Sequence, residues 1–346
     1  MVGVGWMIYG AYGYTGRLVT AQAVERGHRP VLAGRSEAPL RAMAQEFDLD
    51  YWVVSVDDQR ELVRALGEVE TVVNVAGPFT HTAVPVAEAC IAAKANYVDI
   101  AGDVPVVPML FDLDERAREA GVVILPSAGW DAVPTNCLTG MLQKELPDAN
   151  WLELATAGKG KGAGKWSRGS VRTGVEAMVR REPVLVRRDG TVAEPEWAPT
   201  IRVPFPSGEV KVAPRAWVDL ELGYRATGIP NIAFYAPRSR SEAFVRRVVR
   251  LPGGPAVMGR LLRRWPGPSA SERADTTAYI WGRAWNDRGE RVTHVLTTPN
   301  GYDFTADCLV RVVERLHETN IPPGTHTPLS ALGADFVLEC DGVSLD

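Results

Sequence analysis

Apolar positions in the first 125 residues switch between two spacings. Residues 4–8, 30–33, 71–75 and 122–125 are short, nearly continuous apolar runs, and 51–56 and 96–101 read as further strands. Between them, residues 17–26, 36–47, 57–66, 82–94 and 107–120 carry apolar side chains three and four apart, which predicts helices. Gly27 and Gly121 stand where two of these helices should stop. Strands that alternate with helices of this length must run parallel and be joined by crossovers, so a doubly wound Rossmann sheet is expected.

The pattern changes near Trp151. From there to Pro299 the readable segments are mostly strands, at 152–157, 201–204, 210–212, 232–236, 276–285 and 291–298. The last two flank Asp287-Arg288-Gly289, whose Asp and Gly supply hairpin geometry. Basic helices are expected at 241–250 and 256–264, and an amphipathic helix at 305–318 with Ala306, Leu309, Val310, Val313 and Leu316 inward. The expected division is a Rossmann domain at 1–135, an α+β domain on a mostly antiparallel sheet at 136–300, and a C-terminal segment at 301–346 that packs back on the first domain.

The stretch YGAYGYTGR follows the first strand and sets Gly10, Gly13 and Gly16 three apart, with Tyr12, Tyr14 and Thr15 between them. Pyrophosphate binding at a helix N-terminus needs backbone donors without a Cβ in the way. A G-x-x-G-x-x-G spacing differs from G-x-G-x-x-G, and a tight turn also explains it. Arg35 and Ser36, at the end of the second strand, separate the two readings. An acidic residue there binds the ribose hydroxyls of NAD, whereas arginine suits the 2′-phosphate of NADP. Asp57 closes the third strand and either reaches the adenine or caps the next helix.

Composition narrows the field of partners. A 346-residue chain with 46% hydrophobic and 23% charged residues is ordinary for a globular enzyme, and a net charge of −4 gives no reason to seek nucleic acid. The four cysteines form no C-x-x-C pair, so reduced thiols in a cytoplasmic protein are expected. The uncharged stretch 71–87 is broken by Asn74, Pro78, His81 and Pro85, and no membrane association is expected. The five histidines offer no metal-binding spacing, and no metal is expected.

Several motifs in collinear order carry a resemblance. GAYGYTGR, LAGRS, VVNVAGPF, ACIAAKANYVDIAGD and ILPSAGWDAVPTN resemble the saccharopine dehydrogenase-like NAD(P)-binding family, especially its bacterial trans-acting enoyl reductases, over residues 4–140. YRATGIPNIAFYA, TPNGYDFTADCLVRVVE and PPGTHTPLSALG continue it more loosely. The resemblance implies nicotinamide redox chemistry, an inserted sheet domain at 136–300 that serves substrate binding and dimerisation, and a homodimer. Two departures stand out: Val75 occupies a position where the family often has cysteine, and Trp130, Ala132 and Asn136 replace Phe, Ser and Asp of a motif often written GFDSVPSD.

Ligands of an open parallel sheet lie beyond the carboxyl ends of its strands. Ala76, Gly77, Pro78 and Phe79 follow the fourth strand, Gly102 and Asp103 the fifth, and Trp130 and Asp131 the sixth. Gly77 and Pro78 suit the nicotinamide ribose, while Phe79 and Trp130 either wall the ring or pack in the core. Reduction of C=C or C=N needs a proton as well as a hydride. No Tyr-x-x-x-Lys pair is present, so Asp103 and Asp131 are the acid candidates, although either also suits ribose binding or capping. Lys165, with Lys161 and His81 behind it, is a further candidate. The run 158–166 (GKGKGAGKW) fails the ATP-loop pattern, because the residue after Lys165 is Trp166. It either clamps an acidic or carrier-bound substrate or is a flexible, solvated connection. The leading reading is an NADPH-dependent reductase of an enoyl or imine small molecule, and the alternative is an NADP(H)-binding sensor or scaffold without turnover.

Overall fold

The computed structural model describes residues 5–180, 183–195, 199–238, 245, 247–249, 251, 253–262 and 265–346. Two compact units divide the chain, one made of Met1–Val133 and Tyr302–Gly333, the other of Pro134–Gly301 and Ala334–Asp346.

In the first unit, β1 (Trp6–Tyr9), α1 (Tyr14–Glu25), β2 (Val31–Gly34), α2 (Glu37–Phe47), β3 (Tyr51–Val53), α3 (Gln59–Leu66) and β4 (Thr71–Asn74) form one half. The other half is α4 (Phe79–Ala93), β5 (Asn96–Asp99), α5 (Val106–Phe111), α6 (Asp114–Ala120) and β6 (Val123–Leu125). The strands lie in the order β6-β5-β4-β1-β2-β3, every pair parallel, with the reversal between β1 and β4. Trp6–Tyr9 and Thr71–Asn74 are buried along their whole lengths, as strands covered on both faces must be. One helix expected at 107–120 is two, because the chain breaks at Asp112 and Leu113 between α5 and α6.

The second unit opens with α7 (Val133–Glu145), β7 (Trp151–Lys159), α8 (Arg168–Arg180), β8 (Val186–Arg188) and β9 (Thr191–Ala193). It continues through β10 (Ile201–Phe205), β11 (Gly208–Arg215), α9 (Asp219–Thr227), β12 (Asn231–Ala236), α10 (Gly254–Leu262), α11 (Ala270–Ala274), β13 (Thr277–Trp285) and β14 (Arg291–Pro299). Most of the expected helix at 241–250 lies outside the described residues, as do the last two residues of the one expected at 256–264.

The main strand order is β10-β11-β12-β7-β13-β14, antiparallel except for the parallel β12–β7 pair. The β13–β14 hairpin turns at Asp287–Gly289 as its sequence predicts, with Gly289 at φ +83°. Helices α7, α8 and α9 are absent from the sequence reading. In α7, Pro134, Thr135, Asn136 and Gly140 mask the periodicity, yet Leu138 and Leu142 seat against Gly282, where a Cβ would come within 3 Å of both.

The C-terminal residues divide between the units. Helix α12 (Gly301–Glu318), β15 (Gly324–Thr325), which pairs parallel with β6, and α13 (Pro328–Leu332) extend the first unit. The expected return of 301–346 therefore ends at Gly333. A final strand, β16 (Ser344–Leu345), pairs with β14 in the second unit.

Candidate functional site

The three glycines after β1 do three different jobs. Gly10 has φ +90°, and a Cβ there would stand 2.8 Å from both the Cβ and the N of Ala76, so only glycine lets the β1 and β4 loops meet. A Cβ at Gly16 would stand 2.5 Å from the Ala11 carbonyl, so this glycine sets how closely α1 approaches its strand. At Gly13 a Cβ would have one neighbour within 4 Å, the Gly10 carbonyl at 3.1 Å, and its other sides are open. Gly13 is also the N-cap of α1 and offers no side-chain cap. The positive end of the helix thus carries no Cβ at its capping residue and has open space beside it, which suits a phosphate. Gly10 and Ala11 donate to the Ala33 carbonyl at 2.8 and 3.2 Å, which ties the loop to β2.

Tyr12 roofs the end of β2. A Cβ at Gly34 would stand 2.7 Å from its ring, and its hydroxyl donates to Ser36 Oγ at 3.4 Å. Arg35 next to it is exposed and makes no ion pair among the described residues. Ser36 occupies the N-cap position of α2 without capping it. The cap of α3 is Asp58, which accepts from the Glu61 N–H at 3.1 Å, so the capping role considered for Asp57 falls to its neighbour. Asp57 instead accepts the Ser55 hydroxyl at 3.0 Å and stays exposed. Beneath these groups the Tyr9 hydroxyl donates to the Val54 carbonyl, and burial pushes its pKa up to about 12. Arg35 pulls that value down and Asp57 raises it, so both charges act at this strand edge.

A buried polar chain, missed in the sequence, organises the next three loops. Asn74 Nδ2 donates to the Tyr97 hydroxyl at 3.2 Å, which donates to Asp99 Oδ2 at 2.7 Å. Asp99 Oδ1 accepts from the N–H groups of Ala101 and Ser127 at 2.9 and 2.7 Å, and Asn74 Oδ1 accepts from Ala76 N–H at 3.1 Å. One network therefore fixes the chain after β4, β5 and β6 together. Burial raises the Asp99 pKa, against these hydrogen bonds. Asn74 and Asp99 end their strands, the only hint their sequence offers.

Around this network lie the remaining candidates of the first unit. Ala76 accepts the Thr82 hydroxyl at 2.6 Å, Gly77-Pro78 is a cis peptide, and Gly102 lies under the Asp131 carboxylate, whose Oδ2 would stand 2.8 Å from a Cβ placed there. Asp103 is buried, Asp131 is half-buried, and burial followed by the neighbouring Asp103 charge pushes the Asp131 pKa up to about 6. Trp130 is half-buried, and its backbone N–H donates to Thr305 Oγ1 of α12 at 3.0 Å. Phe79, by contrast, is buried in the core cluster beneath the sheet. Tyr302 of α12 meets the Tyr14 ring edge-on at 4.9 Å beside the glycine loop, a contact between residues 288 apart that no local pattern signals.

Lys165 lies in the second unit, in an exposed ion pair with Glu272, whose carboxyl is drawn down to about 2 chiefly by that lysine. The glycine-rich run before it is no loose connection. Lys161 and Gly162 donate their N–H groups to Asp275 Oδ2 and Thr276 Oγ1, and a Cβ at Gly160 would collide with the Asp275 carbonyl.

Comparisons with known proteins agree with this architecture. Residues 6–125 match the saccharopine dehydrogenase NADP binding domain. A trans-acting enoyl reductase of Mycobacterium ulcerans is 28% identical over 183 residues, 50% of this chain and 44% of that protein. A lipid droplet localized protein of Caenorhabditis elegans is 29% identical over 162 residues, 42% of this chain and 38% of that protein. The chain thus matches less than half the length of these curated relatives. Among solved structures, the Saccharomyces cerevisiae saccharopine dehydrogenase (L-Glu forming) aligns over 97% of this chain and 96% of that one, with a TM-score of 0.66 and 13% identity. The homospermidine synthase of Legionella pneumophila aligns over 100% and 91%, with a TM-score of 0.67 and 9% identity. The resemblance read from the motifs is borne out, and both units share the fold of these structures.

Proposed function

We propose that this chain, whose first unit matches a saccharopine dehydrogenase-type NADP-binding domain, is an NADPH-dependent reductase of an activated C=C bond. The observation that carries the reading is the pairing of an open, uncapped α1 N-terminus at Gly13 with an exposed arginine at the end of β2. The residues fit NADPH: the Gly13 surface for the pyrophosphate, Arg35 and Ser36 for the 2′-phosphate, Asp57 for the adenine end. Ala76 to Pro78 and Trp130, held by the Asn74–Tyr97–Asp99 chain, remain for the nicotinamide end. Bound there, the cofactor would supply a hydride.

Asp131 supplies the proton. A carboxyl raised to about 6 holds its proton in weakly acidic solution and can give it up to carbon or nitrogen made basic by hydride addition. Burial holds that pKa up, and like-charge repulsion from Asp103 adds to it. Lys165, tied to Glu272, is left outside this assignment. The enoyl substrate class rests on the sequence similarity to trans-acting enoyl reductases, and a C=N substrate is the second reading, from the saccharopine dehydrogenase fold. The test is NADPH consumption against a panel of enoyl thioesters and cyclic imines, each repeated with Asp131→Asn. Turnover of an enoyl thioester that Asp131→Asn reduces at least about tenfold supports the assignment. Tight NADPH binding with no turnover of either class would leave a binding protein in its place.

A further inference from the structure

The second unit carries an unassigned cluster on one face of its sheet. Register places Glu153, Arg283 and Thr293 in one row across β7, β13 and β14, flanked on the same face by a row of Trp151, Trp285 and Arg291 on one side and a row of Ala155, Trp281 and Val295 on the other. The Arg283 guanidinium carbon lies 5.3 Å from the ring centres of both Trp281 and Trp285. Its Nη2 donates to Glu153 Oε2 at 2.5 Å, and Glu153 Oε1 accepts the Tyr235 hydroxyl at 3.1 Å. Ile201, Arg202 and Pro204 of β10 complete a cavity of about 340 Å³ with Trp281, Arg283 and Arg291. That volume lies at the lower end of the range for small-molecule sites.

Charge in this cavity is unbalanced. Arg283 has Glu153, and Arg202 has Glu209 at 2.8 Å, but Arg291 is exposed and makes no ion pair among the described residues. The Arg283 Nε is buried and makes no hydrogen bond. Three cations are thus matched by two carboxylates beside Trp281 and two apolar side chains. A planar or apolar group fits against Trp281, Pro204 and Ile201, and an acidic group on it fits the surplus guanidinium.

We propose that this cavity binds a small organic anion, a phosphate ester or carboxylate with an apolar or planar body. The second unit contains the cavity entirely, so the inference stands apart from the nicotinamide chemistry. An anion fits better than a second copy of this chain, because a two-fold contact on this face would bring two positive patches together.

Calorimetric titration of the full chain with phenyl phosphate, inorganic phosphate and benzyl alcohol tests the proposal. Saturable binding of phenyl phosphate is expected, with weaker binding of inorganic phosphate and none of the neutral alcohol. Arg291→Ala should weaken phenyl phosphate by at least about tenfold, the loss of one charge-assisted contact, and Arg291→Lys should restore part of it. Arg291 is exposed, so thermal melting should not change in either variant. Saturable, Arg291-dependent binding of phenyl phosphate supports an anion site whether or not it changes the reductase kcat or KM. No saturable heat up to about 10 mM, or equal affinity in Arg291→Ala, overturns it. So does a dimer that Arg291→Glu dissociates while no anion binds.

Discussion

Replacing Arg35 by alanine tests the cofactor assignment most directly. Arg35 is exposed and free of ion pairs among the described residues, so its loss should change stability by no more than about 0.5 kcal/mol. A 2′-phosphate beside it would lose a charge-assisted interaction worth about 1.5–3 kcal/mol, or about 10–150-fold in Kd. Ser36 and the Tyr12 hydroxyl bonded to it stay in place, so the lower half of that range is expected. NADH lacks the phosphate and should bind the variant within about threefold of its original affinity, since the Gly13 surface is untouched. Enhancement of nicotinamide fluorescence, titrated with each cofactor, reads both constants. Equal weakening of NADPH and NADH would remove the 2′-phosphate role, and unchanged NADPH affinity would remove Arg35 from the site.

Three further outcomes follow from the same geometry. Gly13→Val should abolish binding of both cofactors and keep the melting temperature near that of the parent, because a Cβ at Gly13 meets only the Gly10 carbonyl at 3.1 Å, whereas Gly16→Ala should lower it, with a Cβ 2.5 Å from the Ala11 carbonyl. Asp131, raised from 3.8 to about 6, should give a reductase rate that falls as pH rises through about 6, and Asp103→Asn should move that limb to lower pH. The same shift makes stability full below about pH 4 and lower by on the order of 3 kcal/mol once pH is well above 6, a slope that Asp131→Asn should flatten in denaturant titrations. Asp99→Ala leaves the Tyr97 hydroxyl and the Ala101 and Ser127 N–H groups without their acceptor, so denaturant unfolding should show a loss of about 3 kcal/mol or more, and a loss below 1 kcal/mol would contradict the role given to the network.

By itself the sequence determined the features that rest on neighbouring residues. Fully apolar runs alternating with amphipathic helices defined the parallel sheet, because strands buried on both faces and helices buried on one leave distinct spacings. The glycine loop, Arg35, and the Asp287–Gly289 hairpin were legible for the same reason. Helix α7 escaped because its apolar side chains are set among Pro, Thr, Asn and Gly, and its fit depends on Gly282 more than a hundred residues away. The cap considered for Asp57 falls to Asp58, a residue the sequence reading did not consider, because backbone geometry alone decides which carboxylate reaches the Glu61 N–H. Tertiary structure alone decided the rest: the Asn74–Tyr97–Asp99 chain that fixes three loops, the burial that raises Asp131 with the Asp103 charge beside it, and Tyr302 beside Tyr14. Each depends on burial or on groups from distant strands, and neither burial nor long-range proximity is written in local spacing.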